Sequence, residues 1–354
     1  MRLYSKANTK KLLNLMNETL LENTSPEQTY PTPTLLQRFI GRPEFGPFVL
    51  LVIELVVFTL KNPTFLSALN IGNSLAFAPE LGMIALAMTM LMTSGEFDLS
   101  VGSVFALLGV LMSMMLSEWH WPGAIAVVAV IGVATGLGMI HGLLITRLRI
   151  QPFIVTLCGL LFYRGLARFI ANDETKGFGA GAGFEWLQKL ATGSVFGIPM
   201  PFILMIVIGA VMWVVLHRSV YGRYLFAVGR NEEAARYSGL NSRNIIASAY
   251  ALSGALAGVS GVLLAFYTNS ISPSSHGNAL ELYGIAAAVL GGCSLRGGEG
   301  SIIGILIGAA LLQVLQNLVN LLGIPSSLNF AVMGAVILIG VIADQLLKRR
   351  SAPA

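Results

Sequence analysis

The sequence predicts an all-α, polytopic bundle of membrane-spanning helices, and three observations carry that prediction. Of 354 residues, 55% are hydrophobic and 11% are charged, against about 25% charged in an ordinary soluble domain. Mean hydropathy is +0.75, and the shortage of charge runs along the whole chain. Ten stretches also approach the ~20 apolar residues a helix needs to cross the hydrocarbon core. They are 43–60, 74–94, 101–117, 122–146, 150–170, 199–217, 243–266, 280–293, 301–322 and 326–346. The eighth is short enough to be a half-helix, and without it nine crossings remain.

Loop charge sets the orientation. With ten crossings and a cytoplasmic N-terminus, most of the 22 basic residues fall inside, among them Lys10, Lys11, Arg147, Arg149, Arg223, Arg230, Arg236, Arg243, Arg296 and Arg349. Lys61, Arg164, Arg168, Lys176 and Lys189 fall outside or at the outer edge. Cytoplasmic loops attract Lys and Arg, so the chain reads as N-in and C-in. The net charge of +5 then reflects topology and does not indicate nucleic-acid binding. "SEWHWPG" at 117–123 lies outside, with Trp119 and Trp121 at headgroup level. The polar start has no compact apolar region before a cleavage site, so the first span acts as its own targeting signal. Within that tail, 10–23 places Leu12, Leu13, Met16 and Leu20 on one face of a candidate amphipathic helix.

Two connections exceed hairpin length. The outer one, 171–198, is Gly-rich and polar. In the inner one, 218–242, Asn231 suits an N-cap, Glu232 and Glu233 complement the positive start of a helix, and Gly239 suits its end. A short helix over 232–238 is expected, with Ala234, Ala235 and Arg236 available for docking.

The chain also looks doubled. "PELGMIALAMTMLMTSGEFDLSVGSVFALLG" (79–109) resembles "ELYGIAAAVLGGCSLRGGEGSIIGILIG" (281–308): an acid-started apolar run, a Gly-rich break, then Gly102-Ser103 or Gly300-Ser301 leading into the next span. Paired interrupted segments are the best sequence pointer to a transport pathway.

Four stretches in order carry a resemblance to the simple-sugar permease family of ABC importers, the ribose, xylose and arabinose type. "SGEFDLSVGSVFAL" is similar to the family's Gly-Gly-Ile-Asp-Leu-Ser-Val-Gly-Ser signature. "GLLITRLRIQPFIVTLCGLLFYRGLA" (142–167), "AVGRNEEAARYSGLN" (227–241) and "VLGGCSLRGGEGSIIGILIGA" (289–309) match its later segments. Glu96 departs from the pattern by standing where the family has a second glycine, and His141 by standing where Asn is common. The resemblance begins at about residue 45 and omits the tail. It implies a transmembrane permease domain 43–347 with a coupling-helix loop at 218–242 and a periplasmic loop at 171–198, while the loop charges make 1–42 and 348–354 cytoplasmic tails.

The same resemblance implies the partners. They are a second permease subunit forming a homodimer, a cytoplasmic ATP-binding subunit, a periplasmic sugar-binding protein and the lipids of the inner membrane, with no nucleic acid. It makes 232–238 the coupling helix, with Asn231, Glu232, Glu233, Ala234, Ala235, Arg236 and Gly239 at the ATPase contact. This chain itself is expected to bind no cofactor, ATP and Mg being used by the partner. No G-x-x-x-x-G-K-[ST] occurs, and "GGEGS" lacks the lysine that reaches phosphates. No catalytic Ser/His/Asp or Cys/His set and no metal-ligand spacing is visible, and Cys158 and Cys293 read as reduced structural thiols.

Candidate pathway or gate residues are Asp98, Ser100, Gly102, Ser103, Glu80 and Glu281. Asp98 or Ser100 can cap the helix that opens near Val101, while Glu80 and Glu281 are expected near the outer ends of their spans. Arg164 is expected to snorkel to headgroups or meet the delivering protein. Glu54 lies within a span, where an acid costs about 3 kcal/mol on insertion scales, and must face protein, water or the interface. Gly132/Gly136, Gly138/Gly142, Gly254/Gly258 and Gly300/Gly304/Gly308 fit small-xxx-small packing. The rival classes are an ion-coupled secondary transporter using Glu54, Glu80 or Asp98, and a related permease for nucleosides or branched-chain amino acids.

Overall fold

A computed structural model describes residues 44–178, 184–325, 328, 330–335, 337–339 and 342. The tail segment 10–23 and the end 348–354 lie outside the described residues, as does part of the tenth expected span. Helices run in the order α1 (Phe45–Lys61), α2 (Ala68–Thr93), α3 (Val101–Ser117), α4 (Gly123–Leu148), α5 (Pro152–Ile170), α6 (Glu185–Thr192), α7 (Met200–His217), α8 (Val220–Arg230), α9 (Glu232–Tyr237), α10 (Ser242–Thr268), α11 (Leu280–Leu290) and α12 (Ile302–Leu321). Six of these, α2, α4, α5, α7, α10 and α12, are long and apolar enough to cross a membrane. The chain is therefore a helical membrane protein, with α3 and α11 as shorter apolar helices.

Packing separates a centre from a periphery. The apolar windows of α2 and α10 are 78% and 83% buried, whereas those of α4, α5 and α7 are 28% buried. Glycines allow this closeness where α4 crosses α10. A Cβ on Gly138 would lie 2.1 Å from the Tyr250 carbonyl oxygen, and one on Gly254 would lie 2.2 Å from that of Ala134. Gly142 and Gly258 face the same seam, and Gly304 and Gly308 do the same for α12 against α11. Gly132 and Gly136 depart from the expected packing role, since a Cβ on either would meet nothing. They lie on the outer side of α4, away from α10.

The two long connections are more structured than their composition predicts. In the outer one, Lys176–Gly177 pairs antiparallel with Ser270–Ile271, and Ser194–Val195 pairs with Ile198–Pro199. Phe178 is buried and stacks on Phe266 with ring centroids 4.7 Å apart. The inner one holds a helix not expected from sequence, α8, which buries Gly222, Leu225 and Val228 at three-residue spacing. Its N-cap Ser219 accepts a hydrogen bond from the Gly222 N–H.

Candidate functional site: the junction of two helix breaks and a short capped helix

The sequence from α2 to α3 breaks at 94–100, and the sequence from α11 to α12 breaks at 291–301. These breaks touch. The Gly298 N–H donates to the Thr93 carbonyl at 2.9 Å. A Cβ on Gly297 would lie 2.8 Å from Gly95 Cα, an approach only glycine permits, and Gly95, Gly297 and Gly298 all have positive φ. The end of α8 completes the junction. Gly229 lies against Thr93 and Gly298, and Arg230 packs on Gly298.

Directly after Arg230, the chain turns into α9. The Asn231 side chain accepts from the Ala234 N–H at 2.9 Å, Glu232 and Glu233 occupy the first turn, and Gly239 exits with φ of +88°. The helix spans Glu232–Tyr237, one residue shorter than expected. Glu233, Ala234 and Arg236 are exposed. Ala235 is 5% exposed and faces the body of the protein, unlike its neighbours in the expected contact set. Sequence reasoning also missed Tyr237, which is 83% exposed. An aromatic ring left in water at a helix tip was the signal available.

Glu232 accepts from Ser242 Oγ at 2.9 Å, tying α9 to the start of α10. Between them opens a cleft of about 400 Å³ lined by Glu96, Arg149, Glu232, Glu233, Arg236 and Arg243 among others. Tyr250 donates to the Phe97 carbonyl at 2.9 Å and approaches Glu96 Oε2 at 3.3 Å. Burial pushes the Glu96 carboxyl up to about 7, with the Tyr250 hydroxyl opposing and the Glu232 charge adding to the shift. A carboxyl raised in the fold is protonated there while the unfolded chain has already ionised. Its contribution is full below about 4.5 and is lost as pH rises through about 7. Thermal unfolding of the purified protein at pH 5 and pH 8 tests this. The wild type should lose a few degrees of Tm between the two, and Glu96→Gln should flatten the difference.

Asp98 sits deeper, 2% exposed. Its Oδ1 accepts from the Ser100 N–H at 2.8 Å and from Ser100 Oγ at 2.6 Å. The expected cap is thus a tight turn that closes on Ser100, and Ser100 itself makes no side-chain cap to α3. His141 brings Nδ1 to 3.8 Å from Asp98 Oδ2 and 3.4 Å from Ser100 Oγ. Its Nε2 lies 2.9 Å from the Tyr163 hydroxyl. The imidazole bridges Ser100 Oγ, whose own hydrogen goes to Asp98, and the Tyr163 hydroxyl, using both ring nitrogens. The structure thus assembles Ser100, His141 and Asp98, residue types that form nucleophilic triads. The serine hydroxyl is committed to Asp98, however, and all three are at most 2% exposed, so in this structure they face one another and not an open surface.

Ser103 is buried as well, with no partner for Oγ among the described residues. Gly102 packs against the Gly277 carbonyl and the Glu281 carboxylate, where a Cβ would lie 2.2 and 2.3 Å away. Arg164 does not snorkel. Its Nη1 donates to the Pro273 and His276 carbonyls at 3.0 and 2.7 Å, and its Nη2 to Gly277 at 3.1 Å. A guanidinium offers five donors in a planar fork, so it gathers the loop before α11 against the start of α3. Glu281 is the second residue of α11 and 8% exposed. Glu80 departs from the expected outer-end position. Ser67 caps α2 earlier than foreseen by accepting from Asn70 N–H, which places Glu80 mid-helix.

At the far end of α2 from the break, Asn70 and Asn317 exchange two amide hydrogen bonds of 3.0 and 2.8 Å. They border a cavity of about 400 Å³ between α2 and α12. A neighbouring cavity of about 230 Å³ shares Glu80, Gln313 and Gln316 with it. Of the six candidate pathway residues, only Glu80 lines either. Among the described residues, no three His, Cys, Asp or Glu side chains gather to hold a metal.

Interrupted apolar helices thus meet at a glycine junction, with a capped helix projecting beside them, in a helical membrane protein. A profile of the family described as branched-chain amino acid transport system / permease component matches residues 70–341, and the chain belongs to that family, as a multi-pass protein of the inner membrane. It is 39% identical over 303 residues to ribose import permease protein RbsC of Bacillus subtilis (strain 168), covering 85% of this chain and 92% of that one. Identity to ribose import permease protein RbsC of Escherichia coli (strain K12) is 35% over 295 residues, covering 83% and 91%. Fructose import permease protein FrcC of Rhizobium meliloti is 31% identical over 324 residues, covering 90% and 89%. No solved structure matches the chain.

Proposed function

We propose that the chain is the permease subunit of an ABC importer for a monosaccharide. In this reading two copies form the passage, a periplasmic binding protein delivers the sugar, and α9 is gripped by a cytoplasmic ATPase. The chain crosses the membrane about ten times with both ends inside, and the two helix–break–helix units are pseudo-repeats. Support for the orientation comes from the gathering of Arg149, Arg236 and Arg243 around one cleft, because Lys and Arg favour the cytoplasmic side. The single observation that carries the reading is the junction. Gly229 and Arg230, which lead into α9, pack directly on both breaks. A push on α9 therefore reaches two helix pairs through the last two residues of α8. The sugar comes from the relatives, which are named for ribose and fructose import.

The test is uptake by proteoliposomes holding the chain with its ATPase and binding protein. Radiolabelled D-ribose, D-xylose or D-fructose should accumulate only with ATP, and leucine should not. Accumulation by the chain alone under a proton or sodium gradient would establish the secondary-transporter reading instead.

A further inference from the structure

Polar side chains recur along one face of two otherwise apolar helices. Asn70, Asn73 and Glu80 follow one another on α2 at helical spacing, and Gln313, Gln316 and Asn320 do so on α12, all bordering the α2–α12 cavity. Ten residues of α-helix rise about 15 Å, so the α2 row reaches halfway through a core of about 30 Å. Groups of this kind cannot face hydrocarbon, and line water or protein. The Asn70–Asn317 pair holds the rim by satisfying both amides, whereas among the described residues none of the other five has a side-chain bond outside this face.

We propose that this face is a transit site for an uncharged, polyhydroxylated solute of monosaccharide size. The proposal rests on the sugar-permease reading and names where in the chain the sugar is held. An amide presents both donors and an acceptor, which is what a hydroxyl needs, since it donates and accepts at once. Glu80 adds acceptors. Phe77, packed edge-on against Tyr267 with centroids 5.0 Å apart, offers an apolar surface to sugar C–H groups. No Lys or Arg lines either cavity among the described residues, so a zwitterion such as leucine finds no counter-ion for its carboxylate. Asp98, by contrast, is 2% exposed and lines neither of these two cavities. The solute's path in this proposal runs past Glu80 and the glutamines rather than Asp98.

Cysteine accessibility tests the site independently of transport. In a Cys158→Ser background, Gln316→Cys and Asn73→Cys are compared with Val207→Cys, which is exposed on the apolar outer face of α7. A membrane-impermeant methanethiosulfonate should modify the first two at least tenfold faster than the third. D-Ribose, D-xylose or D-fructose at millimolar concentration should slow that modification at least threefold, and leucine should not. Equal rates at all three positions would overturn the proposal, as would protection by leucine and by none of the sugars. No protection by any of the three sugars in the Cys variants, while the wild-type complex imports a monosaccharide, removes the site and leaves the permease reading standing. A complex that imports none of the three sugars removes the permease reading and the site's ligand class together.

Discussion

Arg236→Glu, or Tyr237→Ala, reduces ATP-driven uptake at least tenfold while leaving membrane insertion and thermal stability unchanged. Both residues are exposed on α9, so neither substitution disturbs the packing of this chain. Arg and aromatic side chains supply most of the energy at protein interfaces, and these two stand together on a helix that has little else to offer a partner. Glu233→Arg should act in the same way by reversing charge. ATP hydrolysis by the partner continues in each variant, now independent of delivered sugar. Uptake and ATPase rate measured on the same proteoliposomes distinguish this from a folding defect. Unchanged uptake in the Arg236 and Tyr237 variants would remove α9 as the coupling element.

Gly229→Ala should be nearly as damaging for a different reason. The added methyl would lie 1.9 Å from the Thr93 carbonyl oxygen and 2.7 Å from the Gly298 nitrogen, the two atoms whose hydrogen bond joins the breaks. Neither is the end of a flexible side chain, so the backbones must part. Overpacking of this kind costs about 1–3 kcal/mol, and the expected result is a lowered Tm together with a tenfold or greater loss of uptake. Gly132→Ala provides the control, because a Cβ there meets nothing. It should match the wild type in both measurements. Equal behaviour of the two variants would show that the junction carries no force.

The apolar helices were legible because length and hydropathy are properties of single segments. Nine of the ten expected stretches coincide with helices, from α1 to α12, to within a few residues, apart from the early start of α2. That start depended on Ser67, a cap too short to stand out among polar neighbours. The α9 cap was legible for the opposite reason, since Asn231, two glutamates and Gly239 form a local code. α8 was missed because its buried face consists of one glycine and two aliphatics, too few to register as periodicity. Arg164 and His141 could not be placed from sequence at all. Their partners are backbone carbonyls and hydroxyls brought from distant helices, as when Tyr163 meets His141 and Gly277 meets Arg164. The amide rows on α2 and α12 were visible as letters, but two separate faces become one cavity only when the helices pack. Asp98 attracted attention as an acid in apolar surroundings, and the structure shows it tying its own turn.

The enclosure of α10 bears on how the polypeptide is made. This helix emerges from the ribosome well after α4, whose Gly138 and Gly142 seam it later fills. Until then no part of α10 fills that seam. The last third of the chain must therefore complete a packing surface that the earlier helices leave unfinished. A nascent protein halted before Ser242 would present an unfinished groove, a natural signal for membrane quality-control proteases.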